Sequence, residues 1–181
     1  MNSKSKASLL WIDLEMTGLD PNRDRILEVG AIATDFNFKE IARYESVVKV
    51  NDNIVSQRMV GDFWQKNYKA RDSLIKQNNS NLAKPSDIVQ SELVAFIDKN
   101  FNLNEPIYLA GNSIHQDQKF IEREWPELNS KFHYRQLDVS AFKIIFSSRG
   151  VKFSKPEEHR AMSDIIGSIE ELKYYLKRVN F

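Results

Sequence analysis

Leu9-Leu10-Trp11-Ile12-Asp13-Leu14-Glu15-Met16-Thr17-Gly18 is an apolar run that takes up two carboxylates near its end. Leu9 to Ile12 read as a buried strand. A strand sends residues i and i+2 to the same face, so Asp13 and Glu15 leave its end side by side. Two like charges that close raise one pKa unless a cation sits between them. The pair therefore points to a bound metal ion or to acid-base work. A solvated strand end also tolerates such a pair, so its weight depends on what joins it.

Further strands follow. Ile26 to Thr34 reads as a second strand, Asp35 to Lys39 as a turn, and Ile41 to Val50 as a third strand rich in β-branched residues. Short connections make these three an antiparallel meander. Asp62 to Gln77 has a helical pattern with Phe63, Tyr68 and Leu74 as core contacts, and Asn78 to Lys84 reads as a polar loop. Pro85 to Asn100 reads as a helix with Ile88, Phe96 and Ile97 among its apolar residues. Ile107 to Ala110 is a fourth strand ending at Gly111, Gln118 to Trp125 a helix stopped by Pro126, and Leu137 to Val139 a short fifth strand. In the last helix, Ile165, Ile169, Leu172, Leu176 and Val179 form one stripe. A meander followed by alternating helices and strands predicts an α/β fold, a mixed sheet flanked by helices.

The 181 residues suit a single domain, 1–181, with a flexible polar N-terminus at 1–8. The chain has no cysteine, which excludes disulfides, thiolate metal sites and a cysteine nucleophile. The apolar run after Ser8 is too short for a signal-peptide core or a membrane span, so the chain reads as cytoplasmic with no membrane partner. Net charge is +1. Proteins that track long nucleic acid carry a basic surplus, because neutralised phosphates supply much of the affinity. Either the partner is not nucleic acid, or few phosphates are touched and metal ions carry part of the charge.

Three more residues join the opening pair: Asp117, after a Gly111-Asn112-Ser113 turn, and His159, five residues before Asp164. Singly, Asp117 also suits a helix N-cap, and Asp164 a solvated helix position. Together, four carboxylates on one site require cations. Hard ions such as Mg²⁺ take oxygen ligands and share substrate phosphates. Two of them, about 3.5–4 Å apart, clamp the attacking and leaving oxygens of a phosphoryl displacement. A histidine beside them titrates near neutrality and suits a general base.

The whole pattern resembles the DEDDh exonuclease superfamily, and within it the oligoribonuclease family. Trp11-Ile-Asp-Leu-Glu-Met-Thr-Gly-Leu-Asp-Pro21 resembles the family's first motif and Gly111-Asn-Ser-Ile-His-Gln-Asp117 its second. His133-Tyr-Arg-Gln-Leu-Asp-Val-Ser140 and His159-Arg-Ala-Met-Ser-Asp-Ile165 resemble the rest. The resemblance implies an RNase H-like fold, a homodimer, and 3′-to-5′ hydrolysis of very short RNA down to dinucleotides with two divalent ions, Mg²⁺ or Mn²⁺. It implies that Asp13, Glu15 and Asp164 hold one ion, that Asp13 bridges to a second supported by Asp117, and that His159 is the general base. Leu19 would wedge between bases and Trp64 stack on one. Ser113, Tyr134, Arg135 and Ser140 would bind the phosphate end, Tyr134 and Arg135 from the partner subunit. The chain departs from the family at Lys69-Ala-Arg-Asp-Ser-Leu74, at Gln136 and at Ile166-Gly167. Two other readings remain beside this one: a DEDDh enzyme acting on DNA ends, and a non-catalytic nucleotide-binding module.

Overall fold

A computed structural model describes residues 6–154 and 159–179. Its strands are β1 (Leu9–Met16), β2 (Ile26–Thr34), β3 (Glu40–Val48), β4 (Ala83–Lys84), β5 (Tyr108–Gly111) and β6 (Gln136–Asp138). Its helices are α1 (Asp52–Arg58), α2 (Asp62–Lys66), α3 (Tyr68–Asn78), α4 (Ser86–Asn100), α5 (His115–Glu124), α6 (Pro126–Asn129), α7 (Val139–Ser148) and α8 (Ala161–Leu176). The strands form one sheet in the order β4-β3-β2-β1-β5-β6. β1, β2 and β3 make the antiparallel meander, and β5 and β6 extend it in parallel from β1. The mixed sheet flanked by helices is the one expected.

β1 alternates between two cores. Leu10, Ile12 and Leu14 pack with Leu93, Ile97, Phe120 and Ile121 of α4 and α5. Leu9 and Trp11 pack with Val139, Phe146, Ile165 and Leu172 of α7 and α8. With helices on both faces, every residue of β2 is buried. The period of two then carries Asp13 and Glu15 onto the face of α8, the helix that bears Asp164.

Gly30 permits the approach. It lies opposite Asp13 in the ladder. A Cβ there would come to 3.0 Å from the Ala161 carbonyl carbon and from Ile165 Cδ1. The first contact is backbone, so α8 itself would have to move.

Several boundaries differ from the sequence reading. The helix expected over 62–77 is two helices broken at Asn67, whose φ of −104° and ψ of 36° leave the helical region. Leu74 is buried, but Phe63 and Tyr68 are exposed rather than in the core. Ile88 is exposed too, while Ile97 is fully buried. The loop at 78–84 contains β4, which pairs with Val47 and Val48. Pro126 opens α6 as well as closing the helix before it. Val139 begins α7, capped by the Asp138 carboxylate on the Ser140 amide. Val179 lies beyond the end of α8 but packs against its core. Within the N-terminal stretch read as flexible, residues 1–5 lie outside the described residues. Ala7 and Ser8 are tied down: the Ala7 amide donates to Asn100 O at 3.0 Å and the Ser8 amide to Thr34 O at 2.9 Å.

Gly30→Ala is expected to destabilise the protein by about 1–3 kcal/mol, the usual cost of overpacking a close contact. Denaturant unfolding measures it. An unchanged midpoint would show that α8 yields without cost.

Candidate active site

The strand and the helix bring three of the predicted carboxylates together. One oxygen from each of Asp13, Glu15 and Asp164 lies within 4.8 Å of the others. Asp164 occupies the first turn of α8, where the positive end of the helix dipole favours a negative charge. Burial pushes the Glu15 carboxyl up to about 8, the nearby charges of Asp164, Glu28 and Asp117 add to the rise, and Arg160 opposes it. Two further carboxylates crowd that carboxyl, and like charges this close favour a cation among them. Three hard oxygen donors in that state fit a divalent cation.

Asp117 stands beside this group rather than within it. It is the third residue of α5, not its N-cap, which is Ile114. Its Oδ1 accepts the Leu14 amide at 3.0 Å, between Asp13 and Glu15 in sequence. Burial pushes its carboxyl up to about 7, against the lowering effect of that hydrogen bond. The arrangement is three carboxylates plus one neighbour.

His159 precedes α8 with φ of 49°, a left-handed backbone rarely adopted by a non-glycine residue. Its ring meets Phe63 edge-on at 5.5 Å, and Phe63 meets Trp64 in the same way at 5.0 Å. Phe63 and Trp64 line a cavity of about 320 Å³ with Glu15, Leu19, Arg58 and Val60. Leu19 is 73% exposed at its edge. Trp64 is 5% exposed, and its indole N–H donates to Thr17 O at 3.1 Å, so it is a wall of the cavity and not an open platform. Neighbouring positions on a helix point about 100° apart, so only one of the two rings can enter the core. The sequence reading placed Phe63 in the core and Trp64 on a base; the fold instead buries Trp64 and leaves Phe63 outside.

The loop carrying Leu19 is fixed from below. Asp24 is fully buried and accepts two bonds from Arg58, at 2.7 and 2.9 Å. It also accepts from Thr17 Oγ1 at 2.9 Å and from the Asp20 amide at 3.0 Å. These bonds hold the Asp24 carboxyl below its ordinary range, against a burial effect that alone would raise it. Gln116 Nε2 donates to Leu19 O at 2.8 Å, tying the loop to α5. No spacing in the sequence flagged Asp24 or Arg58, which lie 34 residues apart.

Ser113 and Ser140 meet at the ends of β5 and β6, with hydroxyls 3.1 Å apart. The Ser113 amide donates to Ser140 Oγ at 2.8 Å and to Asp138 Oδ1 at 3.0 Å. Asn112 connects this end to α8, donating to Ser168 Oγ at 2.8 Å and Glu171 Oε2 at 3.1 Å. Tyr134 and Arg135 are elsewhere. Gln136 pairs with Leu109, which is level with Leu10. The Tyr134-Arg135 pair therefore stops at least roughly 10 Å short of Asp13 along the strand direction. Tyr134 is 75% exposed, with the Arg135 guanidinium 5.1 Å from its ring centre. Arg135 borders an apolar cavity of about 400 Å³ lined by Phe36, Phe38, Tyr108 and Phe142. Among the described residues, no helix is long and apolar enough to cross a membrane.

Comparison with known proteins adds to this geometry. The exonuclease family model described as RNase T matches residues 10–172. The oligoribonuclease of Nitrosomonas europaea is 36% identical over 174 residues, covering 93% of each chain. That of Coxiella burnetii is 36% identical over 179 residues, covering 94% of this chain and 93% of its own. E. coli exonuclease I, in a zinc-bound complex with single-stranded DNA, superposes with a TM-score of 0.65 at 14% identity. That match covers 96% of this chain and 41% of the larger enzyme, and it shows a shared RNase H-like fold. With the matched domain spanning every candidate carboxylate, the chain is a nuclease and belongs to the oligoribonuclease family of exonucleases.

Proposed function

We propose that this exonuclease hydrolyses very short RNA from its 3′ end, down to dinucleotides, releasing mononucleotides. The observation that carries the reading is the three-carboxylate group of Asp13, Glu15 and Asp164 beside a cavity of about 320 Å³ that Glu15 itself lines. Asp13, Glu15 and Asp164 would hold one Mg²⁺ or Mn²⁺, and Asp13 with Asp117 a second. Bound there, two such ions neutralise charge building on the phosphate and lower the pKa of the attacking water. The chain's own residues do the rest. Leu19 and Phe63 hold the terminal base, with Trp64 as the wall behind it. His159 takes a proton from the water as the water oxygen bonds to phosphorus; the P–O3′ bond breaks, and the leaving 3′ oxygen of the preceding nucleotide takes a proton from solvent.

The substrate's other end is met by Ser113 and Ser140, and by Tyr134 and Arg135 of the partner subunit in a homodimer. The separation of the last two from Asp13 in their own chain supports a role in trans. An Arg and hydroxyls capping a terminal phosphate read length and not sequence. That agrees with a net charge of +1, which suits an enzyme touching few phosphates.

Four outcomes are expected. With Mg²⁺, end-labelled dinucleotide should be cleaved in preference to seven- and twenty-residue RNA and to a DNA primer. Equal or faster cleavage of long DNA would overturn the substrate assignment. Asp13→Ala should abolish turnover while leaving the circular dichroism spectrum intact, and a fully active variant would remove the carboxylate centre from the mechanism. Mixing inactive Asp13→Ala with Tyr134→Ala should restore activity that neither has alone, because a mixed dimer holds one complete site. No restoration would place Tyr134 outside the partner's site.

The fourth concerns pH. The folded Glu15 and Asp117 carboxyls titrate near about 8 and about 7, above their ordinary values of 4.5 and 3.8. In chelator, the unfolded chain loses these protons first, so stability should fall as pH rises from about 4 to about 8. Added Mn²⁺ should raise the melting temperature, and more so at pH 8 than at pH 5, because ligands must be deprotonated. In Glu15→Gln the decline with pH should shrink. A pH-independent melting temperature in chelator would contradict the charge balance inferred for the site.

A further inference from the structure

Glu28 lies on β2 directly opposite Glu15, on the face of α8. It is only 5% exposed, and a buried carboxylate is costly unless donors surround it. Its donors are specific. Oε1 accepts Arg160 Nε at 3.2 Å and the Ala161 amide at 3.1 Å, and Oε2 accepts Arg160 Nη2 at 2.9 Å. From α3, the Gln77 side chain lies beside both, and with its amide turned to match its neighbours the nitrogen donates to Glu28 Oε2 at 3.0 Å and the oxygen accepts from Arg160 Nη2 at 2.9 Å. Both oxygens are thus directed at the two residues that follow His159. The Ala161 amide opens α8, so the carboxylate also sits where the helix dipole favours it.

His159 holds a backbone conformation that needs such support. Its φ of 49° is unfavourable for a residue with a side chain, and it persists only where the surroundings over-determine it. The ring rests against Phe63 at the wall of the base cavity. A clamp on residues 160 and 161 fixes the C-terminal side of that turn and the start of α8 together.

We propose that Glu28 is a positioning residue: through Arg160 and the Ala161 amide it holds the His159 turn, and so sets the direction in which His159 meets the attacking water. It rests on the assignment of His159 as general base. Glu28 touches neither substrate nor the reacting atoms in this arrangement. Its hydrogen bonds go to the turn, although its charge is also felt by Glu15 on the neighbouring strand, which faces the other carboxylates.

Kinetics on a dinucleotide and spectroscopy on the chelated protein test it separately. Glu28→Gln keeps the shape and one acceptor oxygen, which favours folding, and unfolding midpoints check that it does. Its kcat should drop by about tenfold or more, within the roughly 10²–10⁴-fold loss expected of His159→Ala, while KM stays within about twofold. In the His159→Ala background, Glu28→Gln should cost nothing further, since a positioning residue has then lost its object. An equal loss in both backgrounds, or a rise in KM alone, would overturn the proposal. The chain has three histidines, so ring signals can be assigned in labelled protein. With chelator present, the His159 signals should shift or broaden in Glu28→Gln while those of His115 and His133 stay. Unmoved His159 signals would also overturn it. If His159→Ala keeps wild-type activity, the general-base assignment fails, and the spectra still decide whether Glu28 holds the turn.

Discussion

Repulsion among Asp13, Glu15 and Asp164 is the constraint around which the molecule is organised. At separations within 4.8 Å, each ionised pair costs roughly 3 kcal/mol or more at an effective dielectric of about 20. Three such pairs come to roughly 10 kcal/mol, comparable with the whole stability of a domain, about 5–15 kcal/mol. Charges this close favour cations at the site. The fold answers with a proton held on Glu15, a helix N-terminus behind Asp164, and the Arg160 guanidinium nearby. Each answer is partial, and a divalent cation completes them.

What forces the carboxylates together is packing. The Trp11 face of β1 buries against α8 through Ile165, Ile169 and Leu172, and that stripe sets where Asp164 lands. Gly30 removes the one side chain that would hold the helix away. The other face of β1 grips α5 through Phe120 and Ile121, and this delivers Asp117 to the Leu14 amide. The two cores thus present acids from opposite sides of one strand. That explains why three form a tight group and the fourth reaches them at the strand edge.

The legible parts of this arrangement were local in sequence. Alternation along β1 fixed the shared face of Asp13 and Glu15, and the stripe from Ile165 to Leu172 fixed the face of α8. Parts that depend on distant partners left no periodic trace. Asp24 meets Arg58 across 34 residues, and Glu28 meets Arg160 across 132. Phe63 and Trp64 exchanged the places expected of them for a different reason: neighbouring helix positions point about 100° apart, and hydrophobicity alone does not say which ring the core takes. Asn67 hid the break between α2 and α3 because its side chain is compatible with either state, and the backbone there answers to packing.

The near-neutral charge takes on a physical meaning in this frame. A long substrate is held by many weak phosphate contacts, each supplied by a Lys or Arg. Among the described residues, two arginines near the site have other tasks: Arg58 is taken up by Asp24, and Arg160 by Glu28. On the proposed reading, affinity comes from the ends of the substrate, the base in its cavity at one side and a capped phosphate at the other. A third nucleotide gains little from such a site and separates the two ends that it recognises. On that reading, a preference for the shortest substrate would follow from where these arginines are spent, with no wall needed to exclude longer chains.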